Sequence, residues 1–119
     1  MLSRQHRLTR GFEVLFRKGE KRIFSHFIFR SLPAFDGVSR LSVIVSKKTE
    51  KMAVGRNRIR RRLFEVARKS NFPEFLPLPF RIVLVARSSA KNASFSELEK
   101  DFLEACTATS ISQLKNKKP

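Results

Sequence analysis

The sequence contains no tryptophan, no tyrosine and a single cysteine, Cys106, in 119 residues. One cysteine cannot form a disulfide within the chain and cannot build a cysteine-based metal site. We therefore expect a reducing compartment, the cytoplasm. We also expect Cys106 to fill core space at the end of a helix rather than to act as a nucleophile.

Groups that carry catalysis or bind metals are scarce. His6 and His26 are the only histidines, and the ten acidic residues are scattered along the chain. No Ser/His/Asp set and no metal-ligand spacing is present, so we assign no catalytic residue and no metal site to the protein itself. No apolar run approaches the length of a membrane span, and the N-terminus has no apolar signal segment. A membrane partner is therefore not expected.

Positive charge and phenylalanine are what the sequence has in excess. Twenty-six Lys and Arg face ten Asp and Glu, which gives a net charge of +16 and an isoelectric point near 11.5. Such a balance indicates a polyanionic partner, and nucleic acid is the favoured one. Phenylalanine occurs twelve times as the sole aromatic residue. Some of these rings exceed the needs of one core, and they are candidates for base stacking.

The charge is concentrated between Lys47 and Lys69, which hold ten Lys or Arg and two Glu. The spacing predicts a helix over 52–69 that is buried on one side. The predicted buried side is Met52, Ile59, Leu63, Val66 and Ala67. The predicted outer side is Asn57, Arg58, Arg61, Arg68 and Lys69. A row of guanidinium groups on a rigid helix suits a phosphate backbone. An ordinary solvated face is the alternative, but arginine predominates, acidic neighbours are few, and Asn57 indicates a specific hydrogen bond.

The rest of the chain predicts three more strand regions and two more helices. A first helix over 10–18 would be capped by Thr9 and closed by Gly19. A last helix over 95–106 would open with a capping box of Ser94 and Glu97. The predicted strands are 21–31, bent or broken near Ser25, then 40–46, and 80–88. The ends are expected to be a loose basic arm, 1–8, and a disordered tail, 107–119.

These elements predict one RNA-binding domain over 1–119 with the order α-β-β-β-α-β-α. The fold class is α+β, a sandwich with a small mixed four-stranded sheet, in which the strands flanking the basic helix could be parallel neighbours. Alternation along the strands gives each one two faces. Along 40–46 one set, Leu41, Val43 and Val45, is core, and the other set, Ser42, Ile44 and Ser46, is mixed and partly wet. Along 21–31 the two sets are Ile23, Phe27 and Phe29 against Phe24, His26, Ile28 and Arg30, and alternation does not show which set faces the core.

The basic segment resembles the signature of a known family. Ser46-Lys47-Lys48, followed by Ala53-Val54-Gly55-Arg56-Asn57-Arg58-Ile59-Arg60-Arg61, is similar to the motif of the bacterial ribonuclease P protein subunit. Upstream, Arg7-Leu8 followed by Phe12, Phe16 and Gly19 is similar to the first helix of that family. Downstream, the strand ending Ala86-Arg87 and the helix with Leu98 and Phe102 also match. The resemblance covers roughly residues 5–105.

The resemblance implies a function and a division of labour. Ribonuclease P cuts the 5′ leader from precursor tRNA, and its catalyst is an RNA that itself binds most of the Mg²⁺. The protein would be an auxiliary subunit that binds no metal alone and contacts neither DNA nor membrane. Its fold is one also found in a ribosomal protein domain. The residues implied for docking on the catalytic RNA are Lys47, Lys48, Arg56, Asn57, Arg58, Arg60 and Arg61. Those implied for a cleft that holds the leader are Phe12, Phe16, Ile28, Arg30, Ile44 and Ser46.

Two departures from the family pattern leave local questions open. Phe64 stands where the family has an arginine, and either packing into a neighbouring loop or stacking on RNA would explain it. Glu50-Lys51 stands where many members have a glycine, so the conformation of that loop is open. Two other functions also stay open: a structural RNA-binding protein such as a ribosomal protein, and a nuclease active without RNA. The lack of a carboxylate cluster or a histidine pair argues against the nuclease.

Overall fold

The protein is described by a computed structural model that covers residues 4–72 and 78–116. Its elements follow the predicted order and confirm the fold class. In chain order they are α1 (Phe12–Lys18), β1 (Glu20–Ile23), β2 (Phe27–Pro33), β3 (Arg40–Ile44), α2 (Ala53–Lys69), β4 (Phe80–Ala86) and α3 (Phe95–Asn116). Short 3₁₀ helices span Arg4–His6 and Ser88–Lys91. The predicted break near Ser25 is the turn between β1 and β2.

The four strands form one sheet in the order β1-β2-β4-β3. β2 is antiparallel to both β1 and β4, whereas β3 is parallel to β4, so the sheet is mixed as predicted. The parallel pair needs a long crossover connection, and α2 supplies it. β4 therefore lies inside the sheet, which explains why its sequence is an almost unbroken apolar run.

The two faces of the sheet support two separate apolar clusters. The larger cluster packs β2, β3 and β4 against α2 and α3, and it includes Phe29, Leu84, Leu63 and Phe102. On the opposite face, here called the open face, a small cluster of Leu8, Leu15 and Val83 packs beneath α1. Along 40–46 the predicted assignment of residues to faces is correct. Along 21–31, Phe27 and Phe29 face the larger cluster, Phe24 in the β1–β2 turn packs against the same cluster, and Ile23 is 63% exposed on the outermost strand.

The first helix differs from its prediction at both ends. It begins at Phe12 after Gly11, which has a φ of +84°, and Thr9 does not cap it. Gly19 ends the helix with an extended φ of −71°, not with the left-handed conformation that its sequence position predicts. A glycine is needed at position 19 because there is no space for a side chain: a Cβ would lie 2.3 Å from the carbonyl oxygen of Leu15.

The last helix confirms its predicted start and corrects its predicted end. The backbone N–H of Glu97 donates to Ser94 Oγ, and that of Ser94 donates to Glu97 Oε1, which is the predicted capping box. The helix continues to Asn116, so the disordered tail is wrong over 107–116. Thr109 and Ser110 are buried there, and Arg22 Nε donates to Thr109 Oγ1 at 3.3 Å. Residues 117–119 lie outside the described ranges.

The predicted loose arm is also wrong over the part that the structure describes, which starts at Arg4. Leu8 is buried, and its backbone N–H donates to the carbonyl of Leu41 at 2.8 Å. Cys106 is buried in the larger cluster, and burial raises the pKa of its thiol to about 12, which confirms a core role. Among the helices described, none is long and apolar enough to cross a membrane.

Candidate nucleic-acid interface

The turn between β3 and α2 fixes where the basic helix begins. Thr49 Oγ1 donates to the carbonyl of Ala86 at 3.3 Å, which ties the turn to the end of β4. Glu50 is buried; its carboxylate accepts the Met52 N–H at 3.1 Å and the Lys91 ammonium at 2.8 Å. The hydrogen bond from Lys91 and then the Met52 N–H hold the pKa of Glu50 below its usual value. The loop that replaces the family glycine is therefore built around a buried carboxylate.

Two arginines of α2 contribute to structure rather than to a free surface. Arg56 Nη1 donates to the carbonyls of Glu50 at 3.1 Å and Lys51 at 2.7 Å, and so it clamps the turn. Arg62 donates to the carbonyls of Ala90 at 3.3 Å and Ala93 at 2.5 Å, which joins α2 to the chain before α3. The anchoring role of Arg62 was missed, because sequence gives no signal that a guanidinium reaches a distant loop.

The outer side of α2 and the turn that precedes it present a basic surface, here called the basic face. Lys47, Lys48, Asn57, Arg58 and Arg61 are exposed. None of these four cations makes a hydrogen bond or ion pair with any residue in the described ranges. Asn57 Oδ1 accepts a hydrogen bond from Arg60 Nη1 at 2.6 Å, so the side chain of Asn57 bonds to a neighbour in its own helix.

The opposite side of α2 anchors this face from behind. Ile59, Leu63, Val66 and Ala67 are buried, as predicted. Met52 is not: it is 68% exposed, because the helix begins one residue later and Met52 stands at its N-cap. Phe64 is only 9% exposed and belongs to the larger cluster, so the structure favours packing over stacking on RNA.

The open face of the sheet is organised in rows of directly paired residues. Ile28, Val85 and Ile44 form the first row, Arg30, Val83 and Ser42 the second, and Leu32, Arg81 and Arg40 the third. Leu8 and Leu15 cover Val83, so the middle of the face is closed beneath α1. The first row stays partly exposed. Val85 completes it, and sequence reasoning missed that residue because an all-apolar strand does not show which face each residue joins.

The first row and the residues of α1 that stand beside it are here called the cleft. Phe16 is 37% exposed, and the Arg30 guanidinium lies 4.9 Å from the centre of its ring. Arg30 Nη1 also donates to the Phe16 carbonyl at 3.0 Å. Phe12 is partly buried against the small cluster. Ser46 is exposed beyond Ile44, and its hydroxyl accepts the Thr49 N–H at 3.2 Å. Of the six residues implied by the resemblance, Ile28, Arg30 and Ile44 thus lie on the open face, Phe12 and Phe16 lie on α1 beside it, and Ser46 follows β3 just before Lys47.

Comparison with known proteins agrees with this geometry. The family model described as ribonuclease P matches residues 2–110. The chain belongs to the ribonuclease P protein family. The ribonuclease P protein component of Clostridioides difficile is 32% identical over 101 residues, which span 85% of this chain and 87% of that one. The component of Thermus aquaticus is 36% identical over 104 residues, 87% of this chain and 59% of that protein. The family confirms the predicted function, an auxiliary subunit of the ribonucleoprotein of tRNA 5′ processing.

Solved ribonuclease P proteins share the fold. The protein from Staphylococcus aureus superimposes with a TM-score of 0.71 at 24% identity, covering 88% of this chain and 94% of that one. The protein from Thermotoga maritima superimposes with a TM-score of 0.73 at 24% identity, covering 84% of this chain and 94% of that one. These likenesses confirm the single α+β domain with its four-stranded mixed sheet.

Proposed function

We propose that this ribonuclease P protein binds the catalytic RNA through the basic face of α2 and holds the 5′ leader of precursor tRNA in the cleft. It would thereby assist Mg²⁺-dependent removal of the leader, in the cytoplasm. The observation that carries the proposal is the one-sided build of α2. Among the residues that the structure describes, Arg58 and Arg61 have no hydrogen-bond or ion-pair partner, and the opposite side of their helix is buried in the core.

The basic face is suited to a folded RNA. Phosphates of a folded RNA are spaced by its shape, so the cations that contact them must be held at fixed positions. The turn clamp of Arg56 and the buried side of α2 hold Arg58 and Arg61 in this way. Free guanidinium groups also lose little when they bind, because they leave no existing ion pair.

The cleft is suited to a single strand of variable sequence. Its first row is apolar, its rim carries an exposed phenylalanine, and Arg30 places a positive charge beside that ring. A ring stacks on any base, whereas base-edge hydrogen bonds would select a sequence. Because Lys47 and Lys48 follow Ile44 and Ser46 directly in the chain, a strand bound over the first row could run from the cleft toward the RNA-docking surface.

We assign the Mg²⁺ of the reaction to the RNA subunit. The carboxylates of this chain are few, and several are engaged with cations. Lys91 holds Glu50, Arg22 holds Glu20, Arg40 holds Asp36, and Arg68 holds Glu65. Within the described residues, no group of three or more His, Cys, Asp or Glu side chains could hold a metal ion.

Reconstitution with a bacterial catalytic RNA at low Mg²⁺ tests the proposal. The protein should increase cleavage of precursor tRNA over that by RNA alone, and no increase would refute it. Phe16→Ala should weaken substrate binding by about 1–3 kcal/mol, or about fivefold to 150-fold, and only for substrates whose leader reaches the cleft. Phe35→Ala is the matched control, since Phe35 is 86% exposed on the connection from β2 to β3. A loss of substrate affinity that does not depend on leader length would refute the proposal that the leader binds in the cleft.

A further inference from the structure

A second concentration of arginine lies away from both surfaces described above. A cavity of about 870 Å³ opens between the segment 5–11, the third row of the open face and α2. Four arginines, one aspartate and one buried phenylalanine stand in its wall: Arg7, Arg10, Arg40, Arg81, Asp36 and Phe64. No residue of the cleft and none of the docking group lines it. α1 and the small cluster separate it from the first row.

The segment that forms one wall is held in place on the edge of the sheet. The Leu8 N–H donates to the Leu41 carbonyl at 2.8 Å, and His6 Nδ1 donates to the Ser39 carbonyl at 2.9 Å. Arg7 also pairs with Leu41 as an isolated parallel bridge. Arg7 and Arg10 therefore extend from a fixed backbone, so their charges are brought together by the fold.

The positive charge of the cavity is not balanced within it. Among the described residues that line the wall, Asp36 is the only acidic one, and its carboxylate already pairs with Arg40 at 2.6 Å. Arg7, Arg10 and Arg81 form no hydrogen bond or ion pair with a side chain in ranges 4–72 and 78–116. Like charges held together in a concave site repel one another, and a bound anion would remove that repulsion.

Arg81 is the strongest sign that the cavity is a built site. Its Nε is buried and has no acceptor among the residues that the structure describes, although buried donors are nearly always paired. Gly11 passes directly over this side chain with a φ of +84°, and a Cβ at residue 11 would lie 3.2 Å from Arg81 Nη1. The backbone at Gly11 thus lies close to the guanidinium, and a side chain at this position would crowd it.

We propose that this cavity binds a phosphate group of an RNA strand that continues from the basic face of α2. Guanidinium groups bind phosphate oxygens in pairs of hydrogen bonds, and two or three of them would surround one phosphate here. Phe64, which lines the cavity, lies one helical turn beyond Arg60, so the cavity adjoins the helix that carries the basic face. The inference rests on the RNA binding proposed above. A free nucleotide polyphosphate would offer the same chemistry.

Titration of the full chain with pyrophosphate tests the site without RNA. Saturable binding should raise the unfolding temperature, and Arg7→Gln with Arg10→Gln should weaken it about tenfold or more. The control is Arg17→Gln with Lys18→Gln, which removes the same charge from exposed positions outside the cavity and should change binding less than about twofold. Equal binding by both double variants would overturn the proposal.

A gain of affinity gives a second test that does not depend on a weakened fold. Asp36→Asn removes the only carboxylate of the wall but keeps an oxygen that can accept the Val38 N–H. Pyrophosphate affinity should rise about threefold to tenfold. An unchanged or reduced affinity would show that the anion binds elsewhere.

Binding to the catalytic RNA identifies the source of the phosphate. The Arg7/Arg10 double variant should flatten the dependence of log affinity on log salt by about 0.7–0.9 per lost phosphate contact, and the control variant should not. Pyrophosphate should compete with RNA at this site. Lost pyrophosphate binding with unchanged RNA binding would overturn RNA as the ligand and assign the cavity to a free nucleotide. Stimulation of cleavage by the unmodified protein tests the proposed function separately.

Discussion

At the scale of single residues, Gly55 and Glu50 depend on one another. A Cβ at position 55 would lie 2.6 Å from Glu50 Cγ and 2.7 Å from Glu50 Cδ. The glycine in the first turn of α2 therefore makes room for the carboxylate that receives the Met52 N–H and Lys91. The sequence shows each residue separately, but only the structure shows that they occupy one space.

We expect Gly55→Ala to destabilise the protein although alanine is the better helix former. In the Glu50→Ala background the clash is gone, and the same change should stabilise by up to about 1 kcal/mol, the propensity difference between the two residues. Urea unfolding of the four proteins measures the reversal of sign. Equal effects of Gly55→Ala in both backgrounds would refute the shared-space explanation.

Neighbouring arginines should also have separable roles. Arg62→Met removes two hydrogen bonds to backbone carbonyls and should lower the free energy of unfolding by about 1.5–3 kcal/mol. Arg61→Met makes the same chemical change on the exposed basic face. Arg61→Met should change the free energy of unfolding by less than about 0.5 kcal/mol and should weaken RNA binding instead. Urea titration and RNA binding of both variants check this, and identical profiles would contradict it.

At the scale of secondary structure, apolar periodicity predicted the helices best where a core decides them. The 3.6-residue pattern of Ile59, Leu63, Val66 and Ala67 gave α2 to within one residue, because these side chains pack on the sheet. The same pattern could not give the end of α3. Beyond Cys106 the helix is held by small and polar residues, Thr109 and Ser110, which have no apolar periodicity.

The start of α3 rests on its capping box. Ser94→Ala should lower stability by about 0.5–2 kcal/mol, because the Glu97 N–H loses its acceptor. Ser96→Ala is the control, as Ser96 is exposed in the same turn. Thermal and urea unfolding measure the difference. Equal effects of the two substitutions would show that the cap contributes nothing.

The same box predicts a dependence on pH. The Ser94 backbone N–H, then its hydroxyl, then His26, hold the pKa of Glu97 below its usual 4.5. A lowered folded-state pKa adds stability above the unfolded pKa, and that stability is lost as the pH falls through the folded value. Glu97→Gln should therefore be less stable than the natural protein at pH 7, with a gap that narrows below about pH 4. A gap that stays constant to pH 2 would contradict this.

At the scale of the whole molecule, the surplus positive charge gathers in separate regions of the surface. The resemblance could name the residues proposed for RNA docking and most of those proposed for the leader, because they stand close together in the sequence or alternate along strands. The arginine cavity could not be predicted, since Arg7, Arg10, Arg40 and Arg81 come from three distant segments. Only the sheet order, with β4 between β2 and β3, brings them into one wall.

Long-range electrostatics should report on the basic face directly. Arg58→Ala and Arg61→Ala should each reduce the slope of log affinity against log salt for the catalytic RNA by about 0.7–0.9, one phosphate contact apiece. Arg17→Ala is the control of equal charge, exposed on α1. Filter binding between low and physiological salt measures the slopes. Unchanged slopes in both α2 variants would show that Arg58 and Arg61 do not contact RNA phosphates.

The position of β4 also determines when the protein can fold during synthesis. β2 and β3 do not pair with each other; both pair with β4, which the ribosome synthesises after them. Until Ala86 has emerged from the exit tunnel, the nascent chain holds only the short β1–β2 hairpin, and α2 has no sheet to pack against. A transcript that ends before the codon of Phe80 would therefore yield an unfolded, strongly basic peptide, because β2 and β3 would lack the strand that joins them in one sheet.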